Sequence, residues 1–278
     1  MSVQPLLETR RILLDGAAVE VRREGDRLIA PGGRSLPIDE AAHLPPVVPT
    51  KILCVHLNYR GRAAELHTAL PTAPNYFQKP LSCLNAHRGS VIRPRGCRYL
   101  NYEGEVAIVI GRAARNIRRD AAAAYVAGYT LANDFALHDF RDADRGAMLR
   151  VKGADTLGVV GPGLVRGWTP RDQVLRTRVN GMLVQEAPLT EMIFDISYLI
   201  ADLARTMTLL PGDLILTGTP ANSRPVEPGD QVSVEVEGLG CLECRIDESE
   251  TPLGTECGWP PSASEKVLGV ALGEALRE

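Results

Sequence analysis

Short strand-like segments, separated by glycine and proline, dominate the chain from Lys51 onward. In these segments apolar and polar residues alternate, or apolar residues follow one another over a few positions, as is typical of strands. The segments are KILCVHL, EVAIVIG, LGVVGPGLV, RTRVNGMLV, DLILTGTP and DQVSVEVEG. Helical periodicity occurs in fewer places, which are RRDAAAAYVAGYTLAND, FDISYLIADLARTMTL and SASEKVLGVALGEALRE. Many strands, few helices and no regular βαβ alternation predict an α+β fold.

Composition changes divide the chain into three predicted regions. Residues 1–45 carry short alternating pieces broken by Gly and Pro, which predicts a small β-rich N-terminal element. Residues 46–250 hold the strand-like segments and form the predicted main domain, in which Asn180-Gly181 predicts a hairpin. Residues 251–278 form a C-terminal extension with a short amphipathic helix, for which Ser262 and Glu265 have capping-box spacing.

Length and charge exclude several classes of function. With 278 residues and a formal net charge of −3, the chain lacks the basic surface expected of a nucleic-acid-binding protein. We therefore expect a small-molecule partner. No apolar run approaches the roughly 18 residues that span a bilayer, and the N-terminus lacks the ordered regions of a signal peptide. A cytoplasmic protein without a membrane partner is predicted.

Two glutamates lie one residue apart at the start of an apolar run, in LNYEGEVAIVIG. In a strand, Glu103 and Glu105 would point to one face, about 6.5 to 7 Å apart along the chain. Gly104 between them has no side chain, so another backbone or a ligand could approach closely. Two buried carboxylates this close repel each other, and each needs a proton or a cation. A divalent metal would resolve the conflict.

Asp134 is a third candidate ligand, in GYTLANDFALHDF, where it follows a helix-like stretch at a loop or strand edge. Three carboxylates suit a hard cation such as Mg²⁺ or Mn²⁺ and leave positions for substrate oxygens. The spacing is also compatible with Glu103 and Glu105 as solvent-facing residues of an edge strand and Asp134 as a helix cap, because two glutamates one residue apart are common. The residues alone leave both interpretations open.

A family resemblance bears on this choice. The sequence resembles the fumarylacetoacetate hydrolase family over roughly residues 50–248. Within that family it is most similar to the isomerase/decarboxylase group of homoprotocatechuate (4-hydroxyphenylacetate) catabolism. The motifs that carry the resemblance are YFQKP, NYEGEVAIVIGRAA, YVAGYTLANDFALHDF, RVKGADTLGVVGP, VNGMLVQ, FDISYLIADLARTMTLLPGDLILTGTP and PGDQVSVEVEGLG.

The resemblance implies a mixed β-sandwich rolled into a partly open barrel, with few helices, and a homodimer. It also implies that Glu103, Glu105 and Asp134 bind Mg²⁺ or Mn²⁺. In the family the metal chelates the 2-oxo acid end of the substrate. Such chelation stabilises negative charge on the keto oxygen as an enolate forms.

Further pocket residues follow from the same resemblance. Lys152 in RVKGAD matches the family's pocket lysine, which can hold the enolate oxygen or a carboxylate; otherwise it is a surface lysine. Thr219 in TGTP matches the position that holds the substrate carboxylate, and would otherwise be a turn residue. Tyr76 and Lys79 in NYFQKP fall near the pocket in the family, although Lys79 could instead structure the loop.

The sequence departs from the family in LNYRGRAAEL. Many hydrolases and oxaloacetate decarboxylases of the family carry a His and a Glu there, three residues apart on a mobile helix, which activate water. Here Arg62 and Glu65 occupy those positions. A guanidinium stays protonated near neutral pH, so Arg62 cannot act as a base, but it can clamp a distal carboxylate. His67 is close in sequence and could replace the missing base, which keeps hydrolysis open.

A second departure is His138, where many relatives have Arg. His138 is either a pocket acid/base or a packed side chain, and how the substrate carboxylate is held stays open.

Three functional hypotheses remain. The leading one is a metal-dependent isomerase or decarboxylase acting on an open-chain 2-oxo (2-hydroxydiene) dicarboxylate from aromatic ring cleavage, such as 2-hydroxyhepta-2,4-dienedioate. The alternative is an acylpyruvate or fumarylpyruvate-type C–C hydrolase that uses Glu65. A third is a non-catalytic binding module, which the intact carboxylate set and Lys152 argue against.

Overall fold

The structure, a computed structural model, describes residues 5–254 and 256–273. The strands of this part of the chain are β1 (Leu7–Leu14), β2 (Ala17–Glu24), β3 (Arg27–Ile29), β4 (Ser35–Pro37), β5 (Ala42–Leu44), β6 (Ile52–His56), β7 (Asn75–Lys79), β8 (Leu84–Ala86), β9 (Ser90–Arg95), β10 (Leu100–Asn101), β11 (Gly104–Ile110), β12 (Val126–Asp134), β13 (Ala136–Leu137), β14 (Gly158–Arg166), β15 (Val174–Val179), β16 (Met182–Pro188), β17 (Leu214–Leu216), β18 (Gln231–Val236) and β19 (Gly240–Pro252).

Helices are fewer and shorter. The α-helices of the described residues are α1 (Arg60–Glu65), α2 (Arg141–Asp144), α3 (Leu149–Lys152), α4 (Ile196–Thr206) and α5 (Glu265–Ala271). The 3₁₀ turns are Ile38–Glu40, Leu81–Cys83, Arg119–Tyr125, His138–Phe140 and Leu189–Glu191. None of the helices in the described part is long and apolar enough to cross a membrane. The predicted α+β class is confirmed.

A large mixed sheet runs through the molecule in the order β4-β3-β2-β1-β14-β12-β11-β17-β6-β7. Most neighbours are antiparallel, but β17 and β6 are parallel, as are β14 and β8. The smaller sheet has the order β16-β15-β18-β19-β9. Its β15–β16 hairpin turns at Asn180 and Gly181, whose φ angles of 50° and 80° are both positive, as a two-residue type I′ turn requires. The hairpin prediction is confirmed.

The two sheets pack face to face around the main apolar core. Val106 and Ile108 of β11 share this core with Val232 and Val234 of β18, and all four are fully or almost fully buried. Gly104 shows how close the sheets come, because a Cβ there would lie 2.2 Å from Thr177 Oγ1. The missing side chain thus admits the second sheet and not a ligand. A sandwich without a closed barrel agrees with the fold that the resemblance implies.

The predicted helix across residues 118–134 is wrong in its second half. A 3₁₀ turn covers Arg119–Tyr125, and β12 then runs from Val126 to Asp134. β12 lies between β11 and β14 and forms hydrogen bonds with both. Burial between two strands outweighs the helical preference of the preceding alanines.

The two other predicted helices are present. Helix α4 begins after Asp195, whose side chain accepts a hydrogen bond from the Tyr198 N–H. Helix α5 begins after Ser264 and not after Ser262 as the capping-box spacing predicted. The Ser262 hydroxyl instead donates to Asp142 Oδ2 at 2.6 Å and so fastens the segment to α2. The predicted end of this helix lies outside the described residues.

The N-terminal strands β1–β5 have a small core of their own, formed by Ile12, Val21, Leu28 and Ala30. Strand β1 also pairs with β14, so these strands continue the large sheet. The boundaries at residues 45 and 250 stay a prediction.

Asn58 ties together three segments that surround the site. Its side-chain amide donates to the carbonyls of Phe194 at 3.0 Å and Thr217 at 2.8 Å, and its carbonyl accepts the Phe194 N–H at 2.8 Å. The residue is completely buried. It therefore fixes the segment before α1 to the loops before α4 and after β17.

We predict that Asn58→Ala lowers the free energy of unfolding by about 2–4 kcal/mol, because the substitution leaves buried backbone groups without partners. Urea denaturation measures this loss. The control is Gln78→Ala, which removes an exposed amide from β7 and should change stability by less than about 0.5 kcal/mol. Equal stability of the two variants would contradict the prediction.

Candidate functional site

Three carboxylates meet where β11 begins and β12 ends. The strands are antiparallel, with Gly104 opposite Asn133, so the chain just before β11 lies beside the last residue of β12. The Asp134 N–H donates to the Glu103 carbonyl at 2.9 Å. One carboxylate oxygen from each of Glu103, Glu105 and Asp134 lies within 4.8 Å of the others. The structure thus brings together the three predicted metal ligands.

Burial makes the negative charges of this cluster costly in free energy. Glu105 and Asp134 are each only 1% exposed. Burial, and then the charges of Asp134 and Glu103, raise the pKa of Glu105 well above its usual value. Burial also opposes ionisation of Asp134, but Lys152 and Lys79 outweigh it and hold the pKa of Asp134 below its usual value. Full ionisation of all three groups requires more positive charge.

Two buried lysines supply part of that charge. Lys79, at the end of β7, is fully buried and places Nζ 2.6 Å from Asp134 Oδ1. Lys152, at the end of α3, donates to Glu103 Oε2 at 2.6 Å and to Asp134 Oδ2 at 3.0 Å. Burial opposes the charge on Lys152, but Asp134 and Glu103 hold its pKa above the usual value. Among these carboxylates Lys152 is therefore a cation.

The donor set fits a hard divalent cation. Carboxylate oxygens are the ligands that Mg²⁺ and Mn²⁺ prefer. Burial, and then the charges of Asp134 and Glu103, raise the pKa of Glu105, so a further positive charge would favour its ionised form. A divalent ion would supply the missing charge.

A small cavity of about 40 Å³ lies beside the acidic cluster, with Glu103 in its wall. Five predicted site residues line it: Arg62, Glu103, His138, Lys152 and Thr219. Its other lining residues are Val55, His56, Leu57, Leu66, Phe77, Arg141, Met148 and Val270. A larger cleft, of about 590 Å³ near Trp168 and the start of α4, includes none of the predicted site residues.

Neighbouring groups determine the hydrogen bonding of Thr219 and the charge of His138. Thr219 Oγ1 accepts a hydrogen bond from Gln185 Nε2 at 3.0 Å, which leaves its hydroxyl proton available to a ligand. His138 is 1% exposed, and burial, then the charges of Arg141 and Lys152, lower its pKa well below the usual value. The imidazole is therefore neutral near pH 7.

Arg62 and Glu65 pair with each other on α1. Arg62 Nη1 lies 2.5 Å from Glu65 Oε2, and Arg224 Nη2 lies 2.6 Å from Glu65 Oε1. Burial opposes ionisation of Glu65, but Arg62 and Arg224 hold its pKa below the usual value. His67 follows α1 and is outside the set of described residues that line the cavity. The carboxylate of Glu65 is thus ionised but occupied by two guanidinium groups.

Tyr76 faces away from the carboxylates. Its hydroxyl donates to Asp202 Oδ2 on α4 at 3.0 Å, and its ring borders a second cavity of about 140 Å³. Side chains alternate along β7, so Phe77 and Lys79 share the face that Tyr76 lacks. Phe77 lines the inner cavity with its ring centroid 5.6 Å from Lys152 Nζ. The alternation of side chains along β7 is the sequence signal that could have identified Phe77 as a lining residue.

Arg141 and Val270 are two further lining residues that the sequence analysis did not predict. Arg141 follows His138 by three residues across a helical turn, a spacing that brings side chains to one side. Val270 belongs to α5, which reaches the cavity from the C-terminal extension. No local pattern indicates this long-range contact.

Comparisons with known proteins agree with this geometry. The family model described as "Fumarylacetoacetate (FAA) hydrolase C-terminal" matches residues 51–247. The 4-hydroxyphenylacetate degradation bifunctional isomerase/decarboxylase of Escherichia coli is 41% identical over 203 residues, which are 72% of this chain and 47% of that enzyme. The chain therefore spans about half the length of this relative.

Two solved structures are similar over their whole length. The 5-carboxymethyl-2-hydroxymuconate delta-isomerase from Mycobacterium smegmatis has a TM-score of 0.80 at 35% identity, covering 88% of this chain and 100% of that one. The 2-hydroxyhepta-2,4-diene-1,7-dioate isomerase from Mycobacterium marinum has a TM-score of 0.80 at 34% identity, with the same coverage. The predicted resemblance is confirmed, including the similarity to isomerase/decarboxylase enzymes: the chain belongs to the fumarylacetoacetate hydrolase family.

Proposed function

We propose that this protein is a metal-dependent isomerase/decarboxylase that acts on an open-chain 2-oxo (2-hydroxydiene) dicarboxylate from aromatic ring cleavage. The observation that carries the proposal is the largely buried cluster of Glu103, Glu105 and Asp134 beside a small cavity rich in cations. The names of the similar enzymes support the same class of substrate. A homodimer and cytoplasmic location remain predictions.

The acidic triad would hold Mg²⁺ or Mn²⁺. When bound, such an ion supplies positive charge that stabilises an enolate of the substrate. Lys152 contributes a second, permanent positive charge from within the protein, because its pKa lies above the usual value. Thr219 offers a hydroxyl proton to a substrate carboxylate. These groups explain why an enolate is stable here, which isomerisation and decarboxylation both require.

The hydrolytic alternative requires a group that activates water. Glu65 is the residue proposed for that role, but its carboxylate already accepts from Arg62 and Arg224 and from the Asn222 N–H at 3.1 Å. A carboxylate shared by two guanidinium groups is a weak base, since its ionised form is stabilised. This arrangement favours chemistry within the substrate over attack by water.

Loss of one acidic ligand should abolish the reaction. We predict that Glu103→Gln and Glu105→Gln each lower kcat/KM at least about 10³-fold and weaken Mn²⁺ binding, because an amide cannot supply the charge of the carboxylate. Calorimetric titration with Mn²⁺ and a spectrophotometric assay measure the two effects. The control is Glu186→Gln, on the exposed side of β16. Full wild-type activity in the presence of EDTA would contradict metal dependence.

Product analysis separates isomerisation from hydrolysis. We predict that the protein incorporates deuterium from D₂O into 2-hydroxyhepta-2,4-dienedioate without fragmentation and releases no pyruvate from an acylpyruvate, as NMR can follow. Glu65→Gln should leave isomerase activity within about tenfold of wild type, because Glu65 is held by arginines and does not line the cavity. Pyruvate release that Glu65→Gln abolishes would establish the hydrolase instead.

A further inference from the structure

Arg141 is a partly buried cation in the wall of the cavity. Among the described residues no carboxylate forms an ion pair with its guanidinium, and Arg141 Nη1 lies 3.4 Å from His138 Nδ1. Burial lowers the pKa of Arg141, Glu103 partly offsets this effect, and Arg62 adds to it. A guanidinium nonetheless stays protonated in a protein. A buried charge of this kind favours an anionic ligand.

The other cations around the cavity already have partners. Arg62 is bound to Glu65, and Lys152 is bound to Glu103 and Asp134. Arg62 was the sequence-based candidate for the distal carboxylate of the substrate. Its pairing with Glu65 reduces its capacity for that role, whereas Arg141 keeps its donors available.

His138 adds a second unsatisfied donor beside Arg141. An arginine can only donate, so the contact from Arg141 requires His138 Nδ1 to accept, and the neutral ring then carries its proton on Nε2. His138 Nε2 is buried and has no partner among the described groups. The Nε2–H is thus free to donate to an oxygen of a ligand.

The two cavities indicate where a long substrate would extend. The inner cavity, of about 40 Å³, is small for a seven-carbon dicarboxylate. The outer cavity, of about 140 Å³, shares its wall with the inner one, and Arg141 lies in this common wall. The other shared residues are His56, Phe77 and Met148.

The outer cavity has a further cation at its rim. Lys266 of α5 lines it opposite residues of β7. Helix α5 is anchored near the site, because the Asn101 side chain donates to the Ala271 carbonyl at 2.9 Å and the Ser262 N–H donates to the Asp139 carbonyl at 2.8 Å. This helix lies beyond residues 51–247, which match the family model.

We propose that Arg141, together with the Nε2–H of His138, binds the substrate carboxylate that is farther from the acidic triad, and that Lys266 adds positive charge at the rim of this subsite. The inference rests on the proposed function, since it assumes a dicarboxylate whose 2-oxo end lies at the triad. It makes Arg141 the residue that selects a dicarboxylate over a monocarboxylate.

A pair of matched ligands tests the subsite without turnover. We expect the metal-loaded protein to bind 2-oxoheptanedioate about 10- to 100-fold more tightly than 2-oxoheptanoate in calorimetric titration, as one charge-assisted interaction would give. Arg141→Gln should remove this preference by weakening the dicarboxylate alone, with 2-oxoheptanoate changed less than about threefold. Lys266→Gln, on an exposed residue, should reduce the preference by about threefold.

Controls separate charge from folding. Arg118→Gln removes a guanidinium that is 83% exposed and should leave the preference intact. Arg141→Lys retains the positive charge and should keep part of the preference for the dicarboxylate. Thermal denaturation checks that each variant is folded, and Arg141→Lys provides the test if Arg141→Gln is unfolded. The ¹⁵N shifts of His138 should show a protonated Nε2 in the complex with 2-oxoheptanedioate.

The outcomes distinguish this inference from the proposed function. A preference that survives in folded Arg141→Gln, or that Arg62→Gln removes instead, overturns the subsite while the proposed function stands. Wild-type protein that binds neither 2-oxo acid contradicts both. A His138 ring protonated on Nδ1 in the complex contradicts the assignment of its Nε2 as the donor.

Discussion

The antiparallel contact between the start of β11 and the end of β12 is the constraint on which the site depends. It forces the carboxylates of Glu103, Glu105 and Asp134 into one buried volume, where like charges are costly unless cations compensate them. Lys79 and Lys152 compensate part of the charge by direct contact with Asp134. Glu105 is also buried, and burial, then the charges of Asp134 and Glu103, raise its pKa.

The irregular segment between β12 and β14 owes its position to two buried aspartates. Asp139 accepts the backbone N–H groups of residues 98–99, both at 2.9 Å. Asp144 accepts those of residues 150–151 at 2.6 and 2.9 Å and so holds α3 in place. Each aspartate satisfies two backbone N–H groups that regular structure does not pair. These hydrogen bonds let a segment with little regular structure present His138, Arg141 and Lys152 to one cavity.

The sequence predicted the parts of the molecule that local chemistry determines. Alternation and turn residues gave the α+β class and the hairpin at Asn180, and the spacing of Glu103 and Glu105 indicated a shared face. The helix predicted before Asp134 was wrong, because pairing with two flanking strands determines the conformation of that segment. The local sequence carries no information about where those strands lie. The contact of Val270 with the cavity could not be predicted for the same reason. Along the sequence, α5 is more than 100 residues from every other lining residue except Thr219.

The two ends of the cavity differ in what the sequence could reveal. The acidic end lies within residues 51–247 and carries motifs of the family, so resemblance pointed to it. The outer end combines Arg141, which stands on a one-turn helix, with a helix from the C-terminal extension. In the function that we propose, enolate chemistry would take place at the acidic end and the outer end would select the substrate. A change of specificity would then need no change in the acidic triad.

The small inner cavity also bears on which reaction the enolate undergoes. Hydrolysis requires a water molecule and a base beside the substrate, within one enclosure. Here the reacting end of a substrate would fill the roughly 40 Å³ beside Lys152, and Glu65 is held outside by Arg62 and Arg224. Movement of a proton within the substrate, or departure of CO₂, needs no second reactant in that volume. The limited space beside Lys152, with Glu65 held by two arginines, thus supports isomerisation or decarboxylation over hydrolysis in the function that we propose.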